Sequence, residues 1–213
     1  MKKQSRRTAM KLFAALAASG SILSALPAKA AGTARKWWTP TSMDAMTALR
    51  TRRSVRSYTS QDVSEEQINE LLGAAMSAPS AGNEQPWEFV VIRDKNILSQ
   101  VKRINKYAGY AAKSPVSILV CGDLERDKFG GYWIEDVSAA TQNILLAAHA
   151  MGLGAVWTGI YPMTDRVEKF RDLVKLPEHI VPMALVVIGH PKKAHKAVNR
   201  FKPERIHKDT FKG

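Results

Sequence analysis

The segment from Asp136 to Met151 constrains the fold of this chain more than any other, because its pattern predicts a helix that is apolar on almost every side. The apolar residues that produce this pattern are Val137, Ala140, Ile144, Leu145, Leu146, Ala148 and Met151. A helix of this kind is buried, so in a chain of 213 residues it is either the spine of the core or partly covered by a second subunit. Gly152 is placed to end the helix in a left-handed conformation.

Other predicted helices and strands are interleaved around this segment. Helices are expected after caps at Ser42, Ser64 and Thr164, and the Ser64 cap forms a capping box with Gln67. Strands are expected at Glu88 to Ile92, Val116 to Cys121, Ala155 to Thr158 and Met183 to Gly189. This order predicts an α+β or α/β domain, and the periodicity alone does not choose between the two classes.

Residues 1–30 have the features of an export signal and not of a folded domain. A charged start up to Lys11 precedes an apolar run from Leu12 to Leu26, and Ala28-Lys29-Ala30 matches a cleavage pattern. The run of about 15 residues is shorter than the roughly 20 that a membrane-spanning helix needs, although an uncleaved anchor is the alternative. We therefore predict a signal peptide at 1–30, an N-terminal extension at 31–42 and one domain at 43–213.

The charged start resembles the twin-arginine signal, which directs the export of folded proteins. The pair Arg6-Arg7 has Ser5 and Lys11 in register, while Ala9 stands where the signal usually carries Phe. A cofactor inserted in the cytoplasm is a common reason for folded export. These residues predict a periplasmic or otherwise exported protein that depends on the export machinery for folded proteins, with cleavage after Ala30.

The net charge does not indicate a nucleic-acid-binding protein. The formal charge is +13, but six of the 32 basic residues and none of the 19 acidic residues lie in residues 1–30, which leaves +7 for the rest of the chain. No basic helix with interleaved aromatic residues is evident. The five histidines lack zinc-ligand spacing, and the single cysteine, Cys121, lies in a strand predicted to be buried. We therefore expect no nucleic acid, no metal and an inert thiol.

The first cluster that indicates chemistry is Arg52-Arg53-Ser54-Val55-Arg56. In an extended chain, Arg52, Ser54 and Arg56 project to the same side. Guanidinium groups bind phosphate through paired hydrogen bonds, and a serine hydroxyl adds a neutral donor. The cluster is either a site for a phosphate monoester, such as that of flavin mononucleotide (FMN), or an ordinary solvated basic turn, and by itself it favours neither.

A second cluster is the segment from Ala78 to Trp87, between a predicted helix and a predicted strand, which we call the 78–87 loop. Its proline, serine, glycine and asparagine residues favour a loop. Asn83 and Gln85 each present hydrogen-bond donors and an acceptor, which suits the edge of a heteroaromatic ring with alternating C=O and N–H groups. The alternative is an ordinary connection from helix to strand.

Two further segments are candidates for ligand binding. Trp157-Thr158-Gly159 ends a predicted strand, and Gly159 allows a ligand to approach the backbone closely. The basic stretch from Asn199 to His207 contains Arg200. It is either a solvated tail or a segment that wraps a partner or closes a phosphate pocket.

Taken together, these segments resemble the FMN-dependent nitroreductase family in its short, single-domain form. Over roughly residues 43–213, R-R-S-V-R at 52–56 is similar to the family's phosphate-binding motif and A-P-S-A-G-N-E-Q-P-W at 78–87 to its flavin-edge loop. The segment at 136–157 resembles the family's central dimer helix and N-R-F-K-P-E-R-I-H at 199–207 its closing tail. The resemblance implies an α+β fold with a mainly antiparallel central sheet flanked by helices, and an intertwined homodimer that binds FMN at the subunit interface.

The resemblance also implies roles for individual residues in binding FMN. The residues at its phosphate and ribityl end would be Arg52, Arg53, Ser54, Arg56 and Arg200. The residues that meet the flavin from the other subunit would be Pro79, Ser80 and Asn83. Thr158 and Gly159 would lie near the N5 and O4 edge of the ring. No side chain is expected to act as a catalytic acid or base, because the flavin carries the hydride.

The function that we expect is an exported FMN-dependent oxidoreductase that passes hydride or electrons to a nitroaromatic, a quinone or a related small acceptor. The alternatives are an exported FMN carrier or storage protein without turnover, and a basic binding module without a cofactor. The electron donor stays open between NAD(P)H and another reductant, because NAD(P)H is not normally available outside the cytoplasm. The aromatic residues before the central helix either cap a flat substrate or pack in the core and the dimer interface; they are Tyr107, Tyr110, Phe129, Tyr132 and Trp133.

Overall fold

The computed structural model describes residues 43–211. The signal peptide, the N-terminal extension and the cap at Ser42 lie outside the described residues. The helices are α1 (Ala45–Thr51), α2 (Glu65–Met76), α3 (Lys95–Ile104), α4 (Trp133–Ala150) and α5 (Thr164–Val174), and the strands are β1 (Trp87–Ile92), β2 (Val116–Asp123), β3 (Gly154–Gly159) and β4 (Ile180–Gly189). Within residues 43–211, no helix has the length and apolar character needed to cross a membrane.

The strands form one sheet in the order β1-β2-β4-β3, and every neighbouring pair is antiparallel. This pairing decides the fold class as α+β. The two central strands, β2 and β4, are buried along their whole length. An antiparallel sheet often leaves one face in water, but here helices cover both faces. Residues of α2 and α4 pack in the hydrophobic cluster on one face, and residues of α3 and α5 pack in the cluster on the other.

Helix α4 is the spine of the core, which is one of the two alternatives that the sequence leaves open. Its side chains at Val137, Ala140 and Ile144 have no exposed surface. The helix begins three residues earlier than expected, at Trp133, whose ring packs directly over Gly122 of β2. The predicted left-handed conformation of Gly152 after the helix is confirmed, since this residue has a φ of 76°.

The structure confirms one predicted helix cap and corrects two others. In the capping box of α2, Ser64 Oγ accepts from Gln67 N–H at 3.2 Å and Gln67 Oε1 accepts from Ser64 N–H at 3.0 Å. The cap of α1 is Asp44 and not Ser42, because the Asp44 carboxylate accepts from the N–H of Thr47 at 3.0 Å. The N-cap of α5 is Met163, which makes no side-chain cap hydrogen bond, and Thr164 is the first residue inside the helix.

Cys121 lies in the centre of β2 and has no exposed surface. Burial, with a smaller contribution from the charge of Glu88, raises the pKa of this thiol to about 12. The thiol therefore stays protonated at neutral pH. The expectation of an inert, buried cysteine is confirmed.

Candidate functional site

The segment 52–56 runs out of the end of α1 and alongside β3. Arg52 forms the C-terminal cap of α1, and the N–H of Val55 donates to the carbonyl of Ala155 at 3.0 Å. Val55 is buried against Gly154, where an added Cβ would lie 2.6 Å from the Val55 side chain. Because Val55 points inwards, its neighbours Ser54 and Arg56 are both exposed. The predicted alternation is therefore observed for these two residues.

Arg52 and Arg200 meet at a cavity of about 610 Å³, although they are far apart in the sequence. Arg50 and Arg53 also line this cavity. Among residues 43–211, Arg50, Arg52 and Arg200 have no carboxylate ion-pair partner. Burial lowers the pKa of Arg52, and the positive charges of Arg200 and Arg53 lower it further. A concentration of unpaired guanidinium groups of this kind suits an anion such as a phosphate.

Arg53 uses its guanidinium to hold the C-terminal arm, which we define as residues 192–211. Its Nε donates to the carbonyl of Lys196 at 3.2 Å and its Nη2 to that of Val198 at 3.3 Å. Its Nη1 donates to the carbonyl of Arg52 at 2.5 Å. These bonds place the arm so that Arg200 reaches the cavity. Arg53 therefore contributes to the cavity by positioning the arm, besides lining its wall.

Arg56 does not open onto the cavity that holds Arg52 and Arg200. It lines a second cavity of about 480 Å³ together with Tyr110, Lys113 and Lys192. Its guanidinium lies 5.9 Å from the centre of the Tyr110 ring. Ser54 lines neither of the two cavities. The motif residues that the sequence assigns to one phosphate site are thus divided between two places.

Tyr110, which lines the second cavity, also contacts the end of β3. The hydroxyl of Tyr110 is hydrogen-bonded to Oγ1 of the buried Thr158 at 2.8 Å. Beside it, the carbonyl of Gly159 accepts from Nη1 of Arg166 at 3.1 Å. Apart from Gly159 and its two chain neighbours, residues 43–211 place no atom within 4 Å of the position that a Cβ on Gly159 would take. A ligand can therefore lie against the backbone here, as the sequence predicts for a glycine at this position.

The 78–87 loop has an unusual backbone conformation. It contains one 3-10 turn, Ala81–Asn83, and the φ angles of Gly82, Asn83 and Gln85 are 54°, 58° and 53°. The N–H of Gln85 donates to Ser80 Oγ, and its side-chain amide donates to Oδ1 of Asn83, both at 3.0 Å. The loop residues assigned to flavin binding line neither of the two cavities; they are Pro79, Ser80 and Asn83.

Sequence reasoning missed four cationic residues. Arg50, Lys113 and Lys192 line the two cavities, and Arg166 donates to the carbonyl of Gly159. Arg50 lies in the last turn of α1, three residues before Arg53, and this helical spacing is a signal that would have placed it beside the motif. The other three belong to different elements, and no local pattern connects them with the motif.

One group of metal-ligating residue types comes together elsewhere in the part of the chain that the structure describes. Asp123, Glu125 and His179 each place a ligand atom within 4.8 Å of the others. The Asp123 carboxylate already accepts from Arg126 Nε at 3.1 Å and from the N–H of Glu125 at 3.0 Å. Because these contacts occupy the Asp123 carboxylate, we assign no metal to this group.

His149 of α4 contacts Thr51 at the end of α1, close to Arg52 and Arg53. The hydroxyl of Thr51 donates to the carbonyl of Thr47 at 2.6 Å, so its oxygen accepts from Nε2–H of His149 at 2.7 Å. Burial lowers the pKa of His149, and the charges of Arg52 and Arg53 lower it further. These effects favour the neutral imidazole in the folded protein.

This depressed pKa predicts a loss of stability on acidification. Below about pH 6.5 this histidine takes up a proton in the unfolded chain but not in the folded chain. The contribution of His149 to the free energy of unfolding is therefore fully present above that pH and decreases as the pH falls towards the lower folded pKa. His149→Gln should reduce this decrease in the free energy of unfolding, measured by denaturant titration across the acidic range. His195→Gln, on the exposed arm, should retain the pH dependence; an unchanged slope in His149→Gln would contradict the assignment.

The comparisons with known proteins agree with the observed fold. A model described as the Nitroreductase family matches residues 49–117 and 111–190. A relative from Methanothermobacter thermautotrophicus, provisionally named an NADH dehydrogenase/NAD(P)H nitroreductase, is 45% identical over 169 residues, which are 79% of this chain and 88% of the relative. The FMN reductase (NAD(P)H) of Bacillus subtilis is 30% identical over 186 residues, which cover 77% of this chain and 73% of that protein.

Solved structures show the same likeness. The crystal structure of a Bacteroides thetaiotaomicron protein with the same provisional name has a TM-score of 0.76 and 40% sequence identity with this chain. The match covers 80% of this chain and 100% of the Bacteroides thetaiotaomicron chain.

Proposed function

The chain belongs to the nitroreductase family, and on this premise we propose that it is an exported enzyme that passes electrons from bound FMN to a nitroaromatic, a quinone or a related small acceptor. That it is an FMN-dependent oxidoreductase rests on the family and on its flavin-reductase and nitroreductase relatives. The proposal goes beyond the family in two respects, namely the chemical class of the electron acceptor and the export of the protein from the cytoplasm.

The observation that carries the proposal is the cavity lined by Arg50, Arg52 and Arg200. Three guanidinium groups without a carboxylate partner fit the phosphate of FMN, which is a dianion. The space left open beside Gly159 fits the edge of a flat ring. The residues therefore fit the cofactor that the family uses, with its phosphate at the first cavity and its ring towards Thr158.

Bound FMN would supply the hydride or electron transfer, and the side chains of this chain would bind and orient it. Arg52 and Arg200 would hold the phosphate. Arg56 and Lys113, on the second cavity, would place positive charge near the ring and stabilise negative charge there. Tyr110 would orient Thr158 through its hydroxyl.

We also infer a homodimer in which the C-terminal arm lies on a second subunit. The arm carries four strongly exposed apolar residues, namely Val198, Phe201, Ile206 and Phe211, with exposed fractions of 54% to 81%. Solvent-exposed apolar groups in such number are typical of an interaction surface. In the dimer, the 78–87 loop of one subunit would approach the cavities of the other, which agrees with its absence from the cavities of its own subunit.

The visible spectrum of the purified protein tests the proposal first. A flavin spectrum and release of FMN on denaturation are expected, and release of FAD would contradict the phosphate assignment. Anaerobic reduction by NADH, NADPH or dithionite, followed by addition of a nitroaromatic or a quinone, should reoxidise the flavin. Bound flavin that no acceptor reoxidises would instead favour the carrier or storage protein, and a colourless folded protein would favour a binding module without a cofactor.

Export by the twin-arginine route is a prediction about residues 1–30, outside the described residues. Arg6→Lys with Arg7→Lys keeps the charge and removes the guanidinium groups, and it should leave the precursor in the cytoplasm with FMN bound. Lys2→Arg with Lys3→Arg is the matched control and should be exported normally. Fractionation of cells measures both outcomes, and N-terminal sequencing should find Ala31 first; export of the double lysine variant at the level of the unaltered protein would contradict the route.

A further inference from the structure

The 78–87 loop needs contacts that hold its backbone in place. Non-glycine residues rarely adopt a positive φ, yet Asn83 and Gln85 both do so beside Gly82. Backbone conformations of this kind persist only where the surrounding structure stabilises them, and they occur frequently at functional sites. The contacts that stabilise the loop therefore bear on whatever the loop binds.

Asp136 provides one of these contacts from the first turn of α4. The residue is only 6% exposed, and its Oδ1 accepts from the N–H of Ala81 at 3.0 Å. Among residues 43–211, this is the one side-chain hydrogen bond between a helix and residues 80–85. The segment before α4 also contacts these residues, because the N–H of Lys128 donates to Glu84 and the ring of Phe129 lies against Gly82.

The charge of Asp136 is unfavourable in this environment. Its Oδ2 is buried without a hydrogen-bond partner, as are one oxygen of Glu84 and one of Asp127. Burial raises the pKa of Asp136, the Ala81 N–H lowers it, and the charges of Glu84, Asp127 and Glu135 raise it again. A hydrogen-bond acceptor at this position therefore stabilises the loop, whereas a negative charge there is unfavourable.

We propose that Asp136 is a positioning residue, which holds Ala81 to Asn83 in the conformation that binds the flavin. The inference rests on the proposed function for the role of the loop, and on the hydrogen bond to Ala81 for the role of Asp136. It does not require the carboxylate to be charged. Asparagine has an amide oxygen that can accept the same hydrogen bond, so it should replace Asp136, whereas alanine should not.

The test compares Asp136→Ala with Asp136→Asn in two measurements. The first is hydrogen exchange of the amides at 80–85 in the protein freed of FMN, which should be faster in Asp136→Ala and close to the unaltered protein in Asp136→Asn. The second is the dissociation constant for FMN, measured by quenching of flavin fluorescence. It should rise up to about tenfold in Asp136→Ala, the size expected for loss of one hydrogen bond, and remain nearly unchanged in Asp136→Asn.

Two further variants keep the test decisive. Ala81→Pro removes the donor and leaves the carboxylate, and the extended backbone of Ser80 tolerates a following proline; it should behave like Asp136→Ala. Asp94→Ala removes a carboxylate that likewise accepts a backbone N–H, that of Asn96 at 2.7 Å, but at the start of α3. It should lower stability without changing either measurement.

Equal weakening of FMN binding by Asp136→Ala and Asp136→Asn would overturn the proposal, because it would mean that the charge acts and not the hydrogen bond. Faster exchange in Asp136→Ala with unchanged FMN affinity would also overturn it. Failure of the proposed function is distinguishable from both outcomes, because the unaltered protein would then bind no FMN while the exchange data still report on the bond between Asp136 and Ala81.

Discussion

Arg52→Ala is expected to raise the dissociation constant for FMN about ten- to hundredfold, because a charge-assisted hydrogen bond contributes roughly 1.5–3 kcal/mol. Arg52 is half-buried at the wall of the cavity, and Arg200 and Arg53 lie close enough to lower its pKa. Its guanidinium has no ion-pair partner among residues 43–211, so a bound phosphate would be its anionic partner. Titration of FMN into the protein freed of cofactor measures the change.

Arg56→Lys is the matched control for Arg52→Ala. Arg56 lies on the second cavity, and lysine keeps its positive charge. We expect a smaller loss of FMN affinity than for Arg52→Ala. Arg200→Ala should follow Arg52→Ala, because the two side chains line the same cavity. A loss in Arg56→Lys as large as that in Arg52→Ala would place the phosphate at the second cavity.

Ile144→Asp is expected to prevent folding altogether. Ile144 lies at the centre of α4, has no exposed surface and packs in the cluster between this helix and the sheet. An unpaired carboxylate in such a place costs several kcal/mol, a large part of the roughly 5–15 kcal/mol that stabilises a domain. The variant should be recovered as aggregate or as unfolded chain by circular dichroism, without bound flavin.

Leu146→Asp separates the subunit interface from the core. Leu146 lies on the same helix but is only partly buried within one protomer. If α4 pairs with a second subunit, this variant should fold and be a monomer by light scattering, with weakened FMN binding. A folded Ile144→Asp, or a Leu146→Asp that remains a dimer with bound FMN, would contradict the respective assignments.

The sequence by itself determined those features that depend on local interactions. The spacing of apolar residues predicts α4 and its burial, because a helix without a polar face has to be buried. The capping box at Ser64 and the left-handed Gly152 need only residues a few positions apart. The order of four motifs identifies the family, because each motif is contiguous in the chain.

Other features depend on side chains that only the folded chain brings together. Antiparallel pairing of β2 with β4 decided between α+β and α/β, since strand direction is not encoded in periodicity. Arg200 reaches Arg52 because Arg53 holds the arm through backbone carbonyls, which carry no sequence signal. The guanidinium of Arg56 lies over the Tyr110 ring at the second cavity, and Asp136 meets Ala81 because α4 begins beside the 78–87 loop. The sequence was sufficient to identify the arginine motif as a candidate phosphate site. Long-range packing decided how its residues are divided between two cavities.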